Sequence, residues 1–132
     1  YGLACFADDT GLEVEVLNGE PGVYSARYAG KEKNAAANME KLLERLKNES
    51  NRRAQFKTVI CLKVGENTQL FTGIAKGTIG YDKRGTQGFG YDPIFFPENS
   101  THTFAEMSLQ EKALYSHRAQ ALKKCIDYLQ NL

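Results

Sequence analysis

Apolar and acidic residues alternate along Leu12-Glu13-Val14-Glu15-Val16-Leu17, the period-two pattern of a strand buried on one face. Just upstream, Ala4–Ala7 is an apolar run that predicts a short buried strand ending at the acidic pair Asp8-Asp9. Asn18-Gly19 marks a turn and Glu20-Pro21-Gly22 opens a loop. From Lys31 to about Asn48 the pattern becomes helical, because Ala35, Met39, Leu42, Leu43 and Leu46 fall on one stripe. Residues 54–64 and 69–79 read as two strands joined through Gly65-Glu66-Asn67, a connection short enough for an antiparallel hairpin. Gly77, Gly80, Gly85, Gly88 and Gly90 then crowd a segment that predicts a loop, and Ile94-Phe95-Phe96 predicts a brief buried strand. Ser108 with Glu111 is a capping-box signature for a short helix. Ser116 is placed to cap a final helix, whose apolar stripe reads as Ala119, Leu122, Ile126 and Leu129. These elements predict an α/β fold with a mixed sheet, and 132 residues suit one domain over 1–132.

Composition narrows the function. The chain is 42% hydrophobic and 25% charged, enough apolar material for a buried core. Seventeen basic against 16 acidic residues give a net charge of +1, which argues against a dedicated nucleic-acid binder but allows a local basic site for an anionic small molecule. Cys5, Cys61 and Cys125 are far apart, with no metal-type spacing, and read as free thiols in a reducing compartment. With no signal-peptide pattern and no apolar run near the ~18 residues of a membrane span, the cytoplasm is the expected location and no membrane partner is expected. Tyr1–Ala7 already reads as the approach to a buried strand, so further sequence is expected upstream.

Three clusters carry chemistry. In Ala7-Asp8-Asp9-Thr10-Gly11-Leu12, two carboxylates stand at a strand end, where burial is costly unless a metal or hydrogen bonds satisfy them. Carboxylate oxygens suit Mg²⁺. The competing reading is an Asx-turn, with Asp9 capping the Thr10-Gly11 bend. In Gly85-Thr86-Gln87-Gly88-Phe89-Gly90-Tyr91-Asp92-Pro93, the glycines would let backbone approach a ligand while an aromatic face stacks on a nucleobase, with Asp92 accepting from an N–H edge. A glycine-rich turn with core aromatics fits the same residues. Lys112 with Ser116-His117-Arg118 places basic side chains at a helix start, where their charge opposes the macrodipole. Such an end welcomes an acceptor-rich partner, but a solvated basic turn has the same composition. The charges of the first helix, Lys41 and Arg45 among them, and the loop residue His102 read as solvated surface.

Taken together, Ala-Asp-Asp-Thr-Gly-Leu at 7–12, Pro-Gly-Val-Tyr-Ser-Ala-Arg-Tyr-Ala-Gly at 21–30, Gly-Phe-Gly-Tyr-Asp-Pro-Ile-Phe at 88–95 and Ser-His-Arg at 116–118 resemble, in order and spacing, the inosine/xanthosine-triphosphate pyrophosphatases, the HAM-type proteins. The resemblance covers essentially the whole chain. It implies an elongated mixed sheet flanked by helices and hydrolysis of ITP, dITP and XTP to monophosphate and pyrophosphate, with Mg²⁺, usually in a homodimer. It also implies that Asp9 is the catalytic acid-base and metal-associated aspartate with Thr10 beside it at the substrate. Phe89, Gly90, Tyr91 and Asp92 would embrace the base, and Lys112, His117 and Arg118 would complete its pocket. The family's opening Thr/Ser-x-Asn-x-x-Lys motif and a further metal-associated glutamate have no match here, so an N-terminal truncation is expected.

Two other classes compete. One is a nucleotide-binding remnant with little or no catalysis. The other is a single-strand nucleic-acid binder, with Phe89 and Tyr91 as stacking platforms and Arg84 and Arg118 on phosphates.

Overall fold

A computed structural model describes residues 3–31, 33–88 and 90–131, with the side chains of 3–9 and of Val64 outside the description. The expected α/β class, a long sheet with helices against it, is observed. Strand β1 (Leu3–Val14), the two-residue β2 (Pro21–Gly22), β3 (Arg53–Val64), β4 (Asn67–Ile79) and β5 (Phe95–Pro97) form a sheet in the order β2-β1-β3-β4-β5. Every pairing among the described residues is antiparallel, where a mixed sheet was expected. Helices are α1 (Ala35–Arg45), α2 (Leu109–Ala113) and α3 (His117–Gln130).

β3 shows why the sheet has an inside. Its even-numbered residues from Ala54 to Leu62 are buried and the odd-numbered ones are not, the alternation of a strand with one covered face. Val64 opposes Asn67, so the β3–β4 hairpin turns through Gly65-Glu66 alone, with Gly65 at a φ of 61°. On the covered face Phe56 packs edge-on to Phe95 at 4.6 Å, with Phe104 beside both. Met39, Leu42 and Leu46 of the α1 segment close this core.

Several expectations are corrected. β1 does not stop at the acidic pair. Asp8 opposes Ile60, Asp9 opposes Val59 and Thr10 opposes Thr58, so the ladder runs unbroken to Val14 and no Asx-turn forms at Thr10-Gly11. The strand expected over Leu12–Leu17 ends at Val14, where the chain turns through a single 3-10 turn. α1 is shorter than the Lys31–Asn48 pattern, starting only where Asn34 accepts from the Ala37 amide. Its polar face is not wholly solvated, since Lys41 donates to the Tyr28 carbonyl at 2.8 Å and Arg45 bonds Glu20 and the Tyr28 hydroxyl. The final helix begins at its expected cap, Ser116, whose Oγ accepts from Ala119. It buries the other face, however: His117, Ala121 and Cys125 face the sheet, whereas Leu122, Ile126 and Leu129 are 37–44% exposed. Small side chains let the helix lie close to β4, and bulky leucines would not fit there.

Candidate functional site

The site assembles where α3 begins over the middle of the sheet. Register aligns Thr10, Thr58 and Gly73 across β1, β3 and β4. The Thr10 and fully buried Thr58 hydroxyls lie 2.9 Å apart. Arg118, exposed on the first turn of α3, donates from Nη2 to Thr10 Oγ1 at 3.2 Å. His117 lies beneath it, stacked on Phe56 with centroids 4.8 Å apart and planes 16° from parallel.

The glycine-rich loop reaches the same place from the other side. Tyr91 is 5% exposed and donates its hydroxyl to the Ser25 carbonyl at 2.7 Å. Ser25 Oγ in turn accepts from the Leu12 amide at 2.9 Å and donates to the Gly22 carbonyl at 2.7 Å. Asn38 of α1 holds this loop from behind, accepting from Ala29 and donating to Ala26. Tyr91 is thus a latch between two loops rather than the exposed stacking platform of the single-strand nucleic-acid reading, and burial pushes its phenol pKa up. Phe89 lies outside the described residues. Asp92, 3% exposed, accepts from Lys112 Nζ at 2.7 Å, so its carboxylate serves the lysine. Gly90, at a φ of 60°, turns the chain into this pair.

Thr10, Gly90, Tyr91, Asp92, Lys112, His117 and Arg118 line one cleft of about 430 Å³, so seven of the nine expected site residues come together. Of the other two, Phe89 is not described, and Asp9 is described through its backbone alone, next to Thr10 on β1. Burial, then the charges of Lys112 and Arg118, lower the His117 pKa to about 4. His117 is thus neutral at pH 7, which corrects the reading of a cation opposing the α3 dipole; Arg118 alone of the pair carries charge there. The buried Nδ1 of His117 has no hydrogen-bond partner among the described residues.

A larger cleft of about 890 Å³ lies beside Arg52, Tyr81 and Phe96 and holds none of the expected site residues. Arg52 is committed there to the Leu46, Ile79 and Gly80 carbonyls, fastening the α1 end to β4. Among the described residues no group of three or more His, Cys, Asp or Glu could hold a metal. Cys61 and Cys125 are free thiols, the first half-buried and the second buried. Among the described residues no helix is long and apolar enough to cross a membrane.

Ser25, Asn38, Thr58 and Gly73 escaped sequence reasoning. Ser25 and Thr58 are short polar residues in apolar or aromatic surroundings, which is a signal only once burial is known.

Comparison with known proteins identifies the family. The model of the Ham1 family matches residues 1–128. The dITP/XTP pyrophosphatase of Flavobacterium psychrophilum is 62% identical over 99% of this chain and 69% of its own length. That of Flavobacterium johnsoniae is 61% identical over 98% of this chain and 67% of its own. Among solved structures, the Staphylococcus aureus Ham1 protein superposes with a TM-score of 0.92 at 47% identity, over 96% of this chain and 66% of that one. A HAM1 protein from Coxiella burnetii gives 0.91 at 42% identity, over 96% and 67%. The chain thus spans about two thirds of the length of these relatives. Its sequence and its fold agree: the chain belongs to the Ham1 family.

Proposed function

We propose that the protein carrying this chain hydrolyses deaminated purine nucleoside triphosphates (ITP, dITP and XTP) to the monophosphate and pyrophosphate, clearing them from the nucleotide pool. The observation that carries this reading is the convergence of Lys112, His117 and Arg118 on one cleft with Thr10. Relatives more than 60% identical are dITP/XTP pyrophosphatases.

Hypoxanthine and xanthine carry an acceptor oxygen at the six position, where adenine carries an amino donor. Arg118 offers guanidinium donors, and neutral His117 one ring N–H. An amino group placed against them would set donor against donor, at a cost of roughly 1–3 kcal/mol per buried group. The Asp92–Lys112 pair holds a cation against the same wall without leaving either charge unpaired. Tyr91, fixed by Ser25, closes the cleft and keeps water from the base.

Hydrolysis calls for water attacking the α-phosphorus, with pyrophosphate leaving. Asp9 is the candidate to take the proton of that water or to hold a divalent cation, and Thr10 stands beside it. The described carboxylate in the cleft, Asp92, is engaged by Lys112, and the resemblance of residues 7–12 to the family motif is what makes Asp9 our candidate to hold Mg²⁺. Bound there, the metal would neutralise charge on the triphosphate. A cytoplasmic homodimer completes the proposal.

The single-strand nucleic-acid reading is disfavoured by Tyr91, whose ring is buried and whose hydroxyl is bonded. The binding-remnant reading predicts nucleotide affinity without turnover. Pyrophosphate release from ITP, XTP and ATP, with Mg²⁺ present and absent, separates the two. Mg²⁺-dependent release favouring ITP and XTP supports the enzyme; binding with no release supports the remnant.

A further inference from the structure

α3 is held to the sheet at one point with no slack. A Cβ built on Gly73 would lie 1.8 Å from the His117 carbonyl oxygen and 2.7 Å from the Ala121 amide nitrogen. These positions, four residues apart, are the two ends of a helical hydrogen bond. Both are backbone atoms, so no side-chain rotation relieves the clash, and Cβ atoms essentially never come within 3.0 Å of such neighbours.

The next residue of β4 makes the second contact. Among the described residues β5 pairs with Gly77, Thr78 and Ile79 alone, so Ile74 belongs to the edge of β4 that β5 leaves uncovered. An uncovered edge leaves backbone donors and acceptors to be met. Gln120 of α3 meets both at Ile74: its Oε1 accepts from the Ile74 amide at 3.3 Å and its Nε2 donates to the Ile74 carbonyl at 2.9 Å. The side-chain amide here stands in for the peptide group of a neighbouring strand. One turn further on, Lys124 donates to the Thr72 carbonyl at 2.7 Å.

We propose that Gly73 and Gln120 are positioning residues for the base-reading end of the cleft, fixing the first turn of α3 so that His117 meets Phe56 and Arg118 meets Thr10. The proposal rests on the reading of this cleft as the base pocket. Neither residue lines that cleft, so each acts through His117 and Arg118. Any side chain at position 73 must lift the first turn by about 1 Å, and a shift of that size costs up to about a hundredfold in a site that depends on orientation. Losing the Gln120 clip leaves the close contact but removes its restraint. The expected result is looser base recognition with the phosphate chemistry spared.

Gln120→Ala should raise KM for ITP roughly three- to tenfold, the effect of one or two net hydrogen bonds. Its kcat should stay within about twofold, and its preference for ITP over ATP should fall with the KM change. Lys124→Ala loses a contact on the same helix and edge but away from the first turn, and should leave both parameters as in the unsubstituted protein. Gly73→Ala should show the larger loss where it folds. The His117 ring resonances, read by NMR without substrate, should move in Gln120→Ala and stay in place in Lys124→Ala. Equal effects of Gln120→Ala and Lys124→Ala on KM, or unmoved His117 resonances in Gln120→Ala, would overturn the proposal. If the unsubstituted protein turned over no ITP, the functional reading would fail, and the NMR comparison would still decide whether the clip positions His117.

Discussion

Lys112 Nζ lies 2.7 Å from Asp92 Oδ2, and this pair ties the glycine-rich loop to α2 at the wall of the cleft. The loop depends on Gly88 as well, where a Cβ would meet Asp92 Oδ2 at 2.1 Å. Because Asp92 is almost fully buried, removing either residue takes a compensating charge away from a desolvated site. Asp92→Ala or Lys112→Met should each cost about 3 kcal/mol in urea unfolding. The double variant should cost clearly less than the sum, since the mutual attraction of the pair can be lost only once. Strict additivity would show that the two groups are not coupled.

His117 makes stability depend on pH. Its folded pKa, about 4, is below the ordinary 6.5 because burial and the neighbouring Lys112 and Arg118 disfavour the cation. Between these values the unfolded chain holds a proton that the folded protein does not. His117 therefore lowers stability as pH falls from about 6.5 to 4, by up to about 1.4 kcal/mol per unit, and adds no slope above or below that window. His117→Gln should remove this slope. Unfolding midpoints of the two proteins at about pH 4.5, 5.5 and 7.5 measure it; parallel curves would mean that His117 titrates normally.

Arg118 joins α3 to Thr10. If it reads the six-position oxygen, Arg118→Ala should lower kcat/KM for ITP and XTP by roughly ten- to a hundredfold, the range of a charged hydrogen bond. ATP should lose much less. Equal losses on all three would place Arg118 on the phosphates or in the scaffold.

Asp9→Asn should reduce ITP turnover by at least about a hundredfold, as expected for a general base, with unchanged unfolding by circular dichroism. Asp8→Asn is the matched comparison on the same strand. Near-normal turnover in Asp9→Asn with a large loss in Asp8→Asn would transfer the role to Asp8.

Much of this was legible in the chain. The two long strands, the β3–β4 hairpin and the caps at Ser108 and Ser116 follow from local chemistry, and the structure has them. The errors arise where long-range packing overrides local pattern. Leu122, Ile126 and Leu129 look like a core stripe, yet the face that fits against β4 is set by Gly73, which is distant in sequence from His117 and Ala121. Periodicity within a helix carries no record of such a partner. Asp8-Asp9 reads as a strand end because buried carboxylates are costly, but the ladder with β3 continues past them to Val14. Tyr91 reads as a stacking ring, and only the fold reveals the Ser25 carbonyl that takes its hydroxyl. Of the site, the motifs led to seven residues that share one cleft, whereas Ser25, Asn38, Thr58 and Gly73 support them through contacts that no spacing announces.

The proposed reaction is attack of water on the α-phosphorus of a deaminated purine triphosphate. Hydrolysis of ITP in ¹⁸O-enriched water with Mg²⁺, followed by ³¹P NMR, tests it most directly. The expected products are inosine monophosphate and pyrophosphate, with the label on the monophosphate. Inosine diphosphate with orthophosphate, or label on the pyrophosphate, would contradict it.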